Sequence, residues 1–257
     1  DNCSSKQELE LLEYVKTLTT NAIIHNDRNV ICPLELDIYI PSLNLAIEYC
    51  GLYWHSELNG KGRWYHRQKW KLCHDKNIRL ITIFEDEWVH KNHLVKSILK
   101  NVIQRSNKKI WARNCEIVEL SGTEAKAFFL ENHIHGYSSS QINLGLKYDN
   151  HLSYAMSFTK SNISRKNFNG WELQRMAGLH DQVIVGGASK LFKHFINKHD
   201  PESVLSYADL RWFSGKSYEN FGMILTGITT PGYWYLKMPE CKRHHRFKLR
   251  KNSTDNQ

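Results

Sequence analysis

The chain has 257 residues, of which 41% are hydrophobic and 24% are charged, a composition typical of a globular protein with its own core. No apolar run is long enough to cross a bilayer, and the polar opening segment is unlike a signal peptide, so we expect a cytoplasmic protein with no membrane partner. The formal charge of +9 favours a polyanionic partner, because Lys and Arg that neutralise phosphates release counterions.

The first hundred residues predict six elements in the order helix, strand, strand, helix, strand, helix. Leu9, Leu12 and Val15 share one face of the first helix, and the apolar run at 78–84 is typical of a buried strand. The predicted elements cover residues 5–18, 34–40, 45–50, 64–76, 78–84 and 86–104.

Polar, basic residues at 105–113 indicate a domain boundary, and a second mixed pattern follows it. The helices of this second pattern are expected at 124–132, 187–197 and 216–221. Its strands are expected at 143–148, 153–159, 171–176 and 204–208, with a last hairpin near 232–237. We therefore predict an α/β (mixed α+β) protein with one domain over 1–108, a second over 109–240 and a basic tail over 241–257.

Two acidic residues are predicted to meet across the first hairpin. If Ser42 and Leu43 form the tip of a two-residue turn, Ile40 faces Leu45 and Asp37 falls opposite Glu48. Adjacent carboxylates repel each other unless a cation lies between them, and Mg²⁺ is the usual oxygen-ligated cation of phosphoryl chemistry. The alternative is an ordinary solvated sheet face.

Further polar residues are expected around this pair. His66 and Lys69 lie on nearly the same face of the basic helix, and His55 follows the second strand. A histidine can transfer a proton, and a lysine can stabilise charge on a phosphate. Glu8, on the first helix, is a candidate for an outer metal contact, whereas His66 taken alone is more typical of a surface residue.

At these residues the chain resembles a known nuclease family. The resemblance is carried by three segments in this order: Asp37-Ile-Tyr-Ile-Pro, Glu48-Tyr-Cys-Gly-Leu-Tyr-Trp-His and Ile78-Arg-Leu-Ile. The chain is similar to the very-short-patch-repair (Vsr) endonucleases, and closer still to phage homing endonucleases of the EDxHD type. Both belong to the PD-(D/E)XK superfamily, and the resemblance covers roughly residues 5–105. It implies a Vsr-like core and a homing endonuclease of a mobile element, acting on double-stranded DNA with Mg²⁺ or Mn²⁺ in a phage-infected bacterial cell. A homodimer is expected if one site cuts each strand.

The resemblance also implies roles for individual residues. Asp37 corresponds to the central metal-binding aspartate, Glu8 to the first-helix glutamate and His55 to a proton-transfer residue. His66 stands where the repair enzymes carry an acidic residue. Cys50 stands where the superfamily can carry a lysine, so His55 or Lys69 is expected to supply that function.

The second half resembles GNAT acyltransferases at the segments 183–192 and 217–222. A glycine turn that opens a helix can hold a phosphate, either of coenzyme A or of DNA, although a purely structural turn is an equal alternative. We expect a GNAT-like domain repurposed to bind DNA. The alternatives are an acyltransferase fused to a nuclease-like domain and a non-catalytic DNA-binding accessory protein. Trp212 and Tyr233 are expected either to stack on bases or to pack in the core. The predicted DNA contacts are Lys61, Arg63, Arg67, Arg175, Arg211, Lys216, Lys248 and Arg250.

Overall fold

A computed structural model describes residues 5–53, 62–104, 108–160, 170–237, 240 and 242–245. The chain divides into two compact units, the first formed by residues up to Asn92 and from Thr226 onward, the second by His93–Leu225. The second unit begins before the predicted boundary at 108, and the end of the chain groups with the first unit. Within the described ranges, no helix is long and apolar enough to cross a membrane.

The first unit is built on a four-stranded sheet in which the strands follow the chain order. Its first two neighbouring pairs are antiparallel and its last pair is parallel. The helices are α1 (Lys6–Leu18), α2 (Tyr65–Asp75) and α3 (Glu85–His90), and the strands are β1 (Ile24–Asp27), β2 (Leu36–Ile40), β3 (Leu45–Cys50) and β4 (Arg79–Phe84). Every residue of β3 is buried, so both faces of the sheet are covered at its centre.

The turn between β2 and β3 sets the register of the sheet. Pro41–Leu43 forms a single 3₁₀ turn, and the N–H of Asn44 donates to the Pro41 carbonyl at 3.0 Å. Asn44 takes a left-handed conformation (φ 47°), which asparagine tolerates better than most residues. Ile40 pairs with Leu45, so the predicted register is confirmed.

The helix predicted at 86–104 is instead two helices. α3 ends at His90, and α4 covers Asn92–Gln104. Lys91 leaves the helical conformation with φ −131° and ψ 32°, and the Asn92 side-chain amide donates to the Trp88 carbonyl at 3.0 Å. A side chain that takes up a terminal carbonyl in this way ends a helix without a proline.

A hairpin near the end of the chain completes the first unit. β12 (Trp234–Lys237) pairs with β13 (Lys242–His245) in antiparallel register. Residues 242–245 are therefore a strand, where the sequence predicted a tail from residue 241. The reason is the long-range anchoring of Arg243, which bonds to Asp86 and Glu87 of α3.

The second unit holds a five-stranded sheet in the order β11-β9-β8-β7-β6 and a parallel pair of β5 and β10. Its strands are β5 (Lys109–Trp111), β6 (Glu116–Glu119), β7 (Ile142–Tyr148), β8 (His151–Lys160), β9 (Trp171–Gly178), β10 (Val183–Val185) and β11 (Val204–Ser206). Its other helices are α5 (Gly122–Asn132), α6 (Gly187–His199) and α7 (Lys216–Glu219). The predicted turn between β7 and β8 is confirmed, because Asp149 and Asn150 have φ of 50° and 60°, which matches a type I′ hairpin.

The mixed α+β class is confirmed by these helices and sheets. Membership of the first unit in the Vsr-like nucleases, and of the second in the GNAT fold, stays a prediction. Five short strands were given no bounds from the sequence, namely β1, β5, β6, β10 and β13, because three or four residues are too few to show a clear alternation.

Candidate active site

Asp37 and Glu48 are brought together by the central hairpin of the first unit. Ile38 pairs with Ile47 across β2 and β3, so the next position along this register places Asp37 opposite Glu48. The two carboxylates are close enough for each to change the other's environment: the charge of Glu48 raises the pKa of Asp37. The pair expected from the sequence is thus assembled by the fold.

Burial makes this acidic pair unlike a solvated sheet face. Glu48 is 3% exposed, and the backbone N–H of Tyr49 donates to Asp37 Oδ2 at 2.7 Å. Burial, followed by the neighbouring Glu48 charge, raises the pKa of Asp37 well above 3.8. The pKa of Glu48 is also raised, chiefly by burial, although Lys69 opposes the change. Asp37 itself is partly buried. A carboxylate pair that is largely removed from solvent is costly to fold unless a cation compensates it.

Lys69 provides one such cation from α2. It is 2% exposed, and its Nζ forms a hydrogen-bonded ion pair with Glu48 Oε1. Burial lowers the pKa of Lys69, but the Glu48 and Asp37 charges outweigh that effect and hold the pKa above its usual value. Lys69 is therefore protonated at neutral pH.

One oxygen of this cluster is left without a partner. Glu48 Oε2 is buried and has no hydrogen bond, whereas Oε1 of the same carboxylate is bound to Lys69. A buried acceptor without a hydrogen bond is destabilising by about 1–3 kcal/mol. Such an atom beside a second carboxylate is the arrangement expected where a ligand completes the site.

Glu8 lies on the α1 side of the same cluster. Its backbone N–H donates to the Ser5 hydroxyl oxygen at 3.1 Å, and this cap fixes the start of α1. Its Oε1 is 3.3 Å from His25 Nε2, and its charge contributes to the raised pKa of both Asp37 and Glu48. His25 was missed by the sequence interpretation because it lies on β1, a strand whose short pattern was not recognised.

His66 lies on α2 close to the end of β3. Its Nδ1 is 4.0 Å from Cys50 Sγ, and its ring packs edge-on against Phe84 with centroids 5.4 Å apart. It therefore adjoins the residue that stands where a superfamily lysine was expected. His55, the predicted proton-transfer residue, lies outside the described residues.

The donor set of the site is limited to a few protein oxygens. Among the residues that the structure describes, no group of three or more His, Cys, Asp or Glu side chains is arranged to hold a metal ion. Asp37 and the unpartnered oxygen of Glu48 nevertheless offer two carboxylates, which are the ligands that Mg²⁺ prefers. Mg²⁺ commonly takes one or two protein carboxylates and completes its shell with water and substrate phosphates, so this donor set fits such an ion.

Two predicted DNA contacts of the first unit lie at the start of α2. The Arg63 guanidinium donates twice to the Pro231 carbonyl, at 2.9 and 2.7 Å. Arg63 and Arg67 also lie over the Trp64 ring, 5.8 and 5.4 Å from its centroid. The remaining predicted contacts of this unit lie outside the described residues: Lys61, Lys248 and Arg250.

The predicted contacts of the second unit differ in their surroundings. Arg175 donates to the Gly136 carbonyl at 2.9 Å, and burial lowers its pKa. Arg211 pairs with Asp209 at 2.8 Å. Lys216 is exposed at the first position of α7. The two arginines are thus engaged within the protein, whereas Lys216 is accessible.

The glycine turn before α6 has a local structural explanation. Gly186 has φ +79° at the helix start, and a Cβ on Gly187 would lie 2.9 Å from Ile184 Cγ2. One glycine supplies the left-handed turn and the other allows close packing. Trp212 is 1% exposed, so it packs in the core, whereas Tyr233 is 43% exposed and does not.

Comparison with known proteins finds little that resembles the chain. No family model matches it, and no curated protein matches it. One solved structure is similar, an integron cassette protein from the mobile metagenome of V. cholerae, at 12% identity and a TM-score of 0.36, covering 48% of this chain and 93% of that one. None of these three comparisons identifies a function for the chain.

Proposed function

We propose that this chain is a metal-dependent DNA endonuclease that hydrolyses phosphodiester bonds at a site formed by Asp37, Glu48 and Lys69. The observation that carries the proposal is the carboxylate pair of partly buried Asp37 and buried Glu48 beside the buried Lys69, with Glu48 Oε2 left without a hydrogen bond. The resemblance of residues 5–105 to the repair and homing endonucleases supports DNA as the substrate. The basic charge of the chain supports it as well.

Asp37 and Glu48 would hold the cation, Mg²⁺ or Mn²⁺. When bound, such an ion stabilises the negative charge that develops on a phosphate under attack by water. The protein's own part is to keep both carboxylates oriented before the substrate arrives. Tyr49 does this for Asp37 through its backbone N–H, and Lys69 does it for Glu48.

Lys69 has a second role in this proposal. The resemblance implied a lysine at the position of Cys50. Lys69 instead brings an ammonium group from α2 to the carboxylate of Glu48. Because the pKa of Lys69 is raised, it acts as a charged donor to a phosphate oxygen and not as a base. Glu8, held beside His25, contributes negative charge at the outer edge of the site.

The biological setting is proposed from the resemblance alone: a homing endonuclease of a mobile element in a phage-infected bacterial cell. A chain with one such site cuts one strand, so a double-strand break at one position would use two copies, and we include a homodimer acting on double-stranded DNA in the proposal. The non-catalytic alternative differs from it in one respect, the absence of metal-dependent cutting.

The test is plasmid cleavage with Mg²⁺ by the wild-type protein and by Asp37→Ala, Glu48→Gln and Lys69→Met. Asp27→Asn is the matched control, because Asp27 is a buried carboxylate of the same sheet whose Oδ1 accepts from two backbone N–H groups. We expect cleavage by the wild type and the control, loss of cleavage in Asp37→Ala, and unchanged DNA affinity in that variant. Cleavage by Asp37→Ala at the wild-type rate, or binding without cleavage by the wild type, would contradict the proposal.

A further inference from the structure

The first unit carries a group of exposed aromatic side chains at the start of α2 and in the segment leading into β12. Trp64, Tyr233 and Tyr235 are each between 43% and 46% exposed. The Tyr233 and Tyr235 rings contact each other edge-on, with centroids 5.7 Å apart. Aromatic rings contribute large apolar area, so several at the surface of one unit indicate a binding face.

Two arginines lie beside these rings and give the face a positive charge. Arg63 binds the Pro231 carbonyl, which joins the start of α2 to the segment that carries Tyr233 and Tyr235. Arg67 lies over the Trp64 ring. In the part of the chain that the structure describes, neither arginine has a carboxylate partner, so their charge is available to an anion.

The hairpin that carries the tyrosines is fixed to the sheet by Arg243. Its guanidinium binds Asp86 and Glu87 at 2.9 Å each, and it lies over the Phe84 ring, 4.0 Å from the centroid. Charge-assisted hydrogen bonds to two carboxylates hold an arginine in one orientation. The aromatic residues are therefore presented by a well-anchored element.

We propose that Arg63, Trp64, Arg67, Tyr233 and Tyr235, here named the aromatic–arginine face, bind a DNA strand by stacking its bases and neutralising its phosphates. Aromatic rings interleaved with uncompensated arginines are the chemistry of single-strand binding. A protein partner would match the rings but would leave the two guanidinium groups uncompensated unless it were acidic.

The face shares α2 with Lys69 of the proposed cleavage site. Trp64 precedes α2 by one residue, and Lys69 lies about 7.5 Å further along the helix axis and about 140° around it. The exposed Trp64 and the buried Lys69 therefore point to different sides of the helix. The inference rests on the proposed function and deepens it, by assigning residues that hold an unpaired strand of the DNA outside the cleavage site.

The test measures binding of a fluorescent single-stranded oligonucleotide in EDTA, where no cutting occurs. The variants are Trp64→Ala and Arg67→Met. Their controls are Trp111→Ala and Arg113→Met in the second unit, where an exposed Trp is likewise covered by an arginine, 5.6 Å from the ring centroid.

We expect Trp64→Ala to weaken binding by about 10-fold or more, the effect of losing one stacked base. Arg67→Met should also reduce the dependence of log K on log salt by about 0.7, the value for one phosphate contact to a single strand. Both controls should bind within about twofold of the wild type. Circular dichroism should show unchanged melting of Trp64→Ala, because the replaced side chain is exposed and makes no capping hydrogen bond.

Wild-type binding by Trp64→Ala, or equal loss in Trp64→Ala and Trp111→Ala, would overturn the inference. Tight binding of an acidic peptide that competes with the oligonucleotide and is not weakened by salt would overturn it as well. Because binding is measured without metal, its outcome is separate from that of the plasmid assay. If the protein binds DNA through the aromatic–arginine face but does not cut it, this inference stands and the nuclease proposal fails.

Discussion

Asp37→Asn tests how the acidic pair of Asp37 and Glu48 affects the stability of the fold. The substitution removes one negative charge next to Glu48 and keeps an oxygen that can accept the Tyr49 N–H. The pKa of Asp37 is raised in the folded protein. The folded state of the wild type is therefore most stable below the usual carboxyl pKa, and it loses stability as the pH rises through the raised pKa. The loss amounts to about 1.4 kcal/mol for each unit by which the pKa is raised.

The variant should not show this loss. In EDTA we expect its free energy of unfolding to exceed that of the wild type by on the order of 1–3 kcal/mol above the raised pKa, the size of an uncompensated buried polar group. At acidic pH the difference should vanish. Urea denaturation between pH 5 and 9, followed by circular dichroism, measures both quantities.

Added Mg²⁺ should reduce the stability advantage of the variant. At ten times its Kd, an ion that binds only the folded state stabilises the wild type by about 1.4 kcal/mol, and Asp37→Asn should gain much less. The control Asp27→Asn should respond to Mg²⁺ as the wild type does. Lower stability of Asp37→Asn than of the wild type at every pH would show that the Asp37 charge is not destabilising, and equal stabilisation of both proteins by Mg²⁺ would show that Asp37 does not bind the ion.

Four other substitutions test separate parts of the structure. Lys69→Met should lower the free energy of unfolding by about 3–5 kcal/mol at neutral pH, since it leaves buried carboxylates without their cation, and the deficit should shrink as they protonate in acid; a pH-independent deficit contradicts this. Arg243→Ala should lower the free energy of unfolding by a similar amount in urea denaturation, and Arg243→Lys should lower it by an intermediate amount. An unchanged free energy of unfolding would show that Arg243 does not anchor the hairpin. Gly187→Ala should be destabilising by about 1–3 kcal/mol because its Cβ would crowd Ile184, and a stabilising result in thermal melting would refute the packing explanation. Burial raises the pKa of Asp209, but the hydrogen bond from His135 and the charge of Arg211 outweigh it, so the pKa is lowered. Asp209 therefore stabilises the fold above pH 3.8, and this contribution is lost as the pH falls. Asp209→Asn should be less stable than the wild type at pH 7 and should lose less stability in acid, and an equal loss of stability in acid would contradict this.

The central hairpin was predictable because its pattern is local. Alternation along β2 and β3, with a turn between them, fixed the pairing of Ile40 with Leu45, and this pairing places Asp37 opposite Glu48. The helical spacing of α2 indicated Lys69 as a candidate, but its ion pair with Glu48 depends on how the helix packs over the sheet. No local pattern contains that information.

The end of the chain shows where local patterns fail. The basic composition after residue 240 suggested a tail, yet Arg243 finds the carboxylate of Asp86, 157 residues earlier. β1 was missed because Ile24–Asp27 has one apolar residue in four, and His25 was missed with it. Both features depend on contacts that are distant in sequence.

The most direct test of the central claim is an anomalous difference map from crystals of the wild-type protein soaked in Mn²⁺. If Asp37 and Glu48 hold the metal ion, the map shows a peak at coordination distance from an Asp37 carboxylate oxygen and from Glu48 Oε2, and crystals of Asp37→Asn show none. A map with no peak between these two carboxylates at saturating Mn²⁺, or the same peak in the variant, would rule out this metal site.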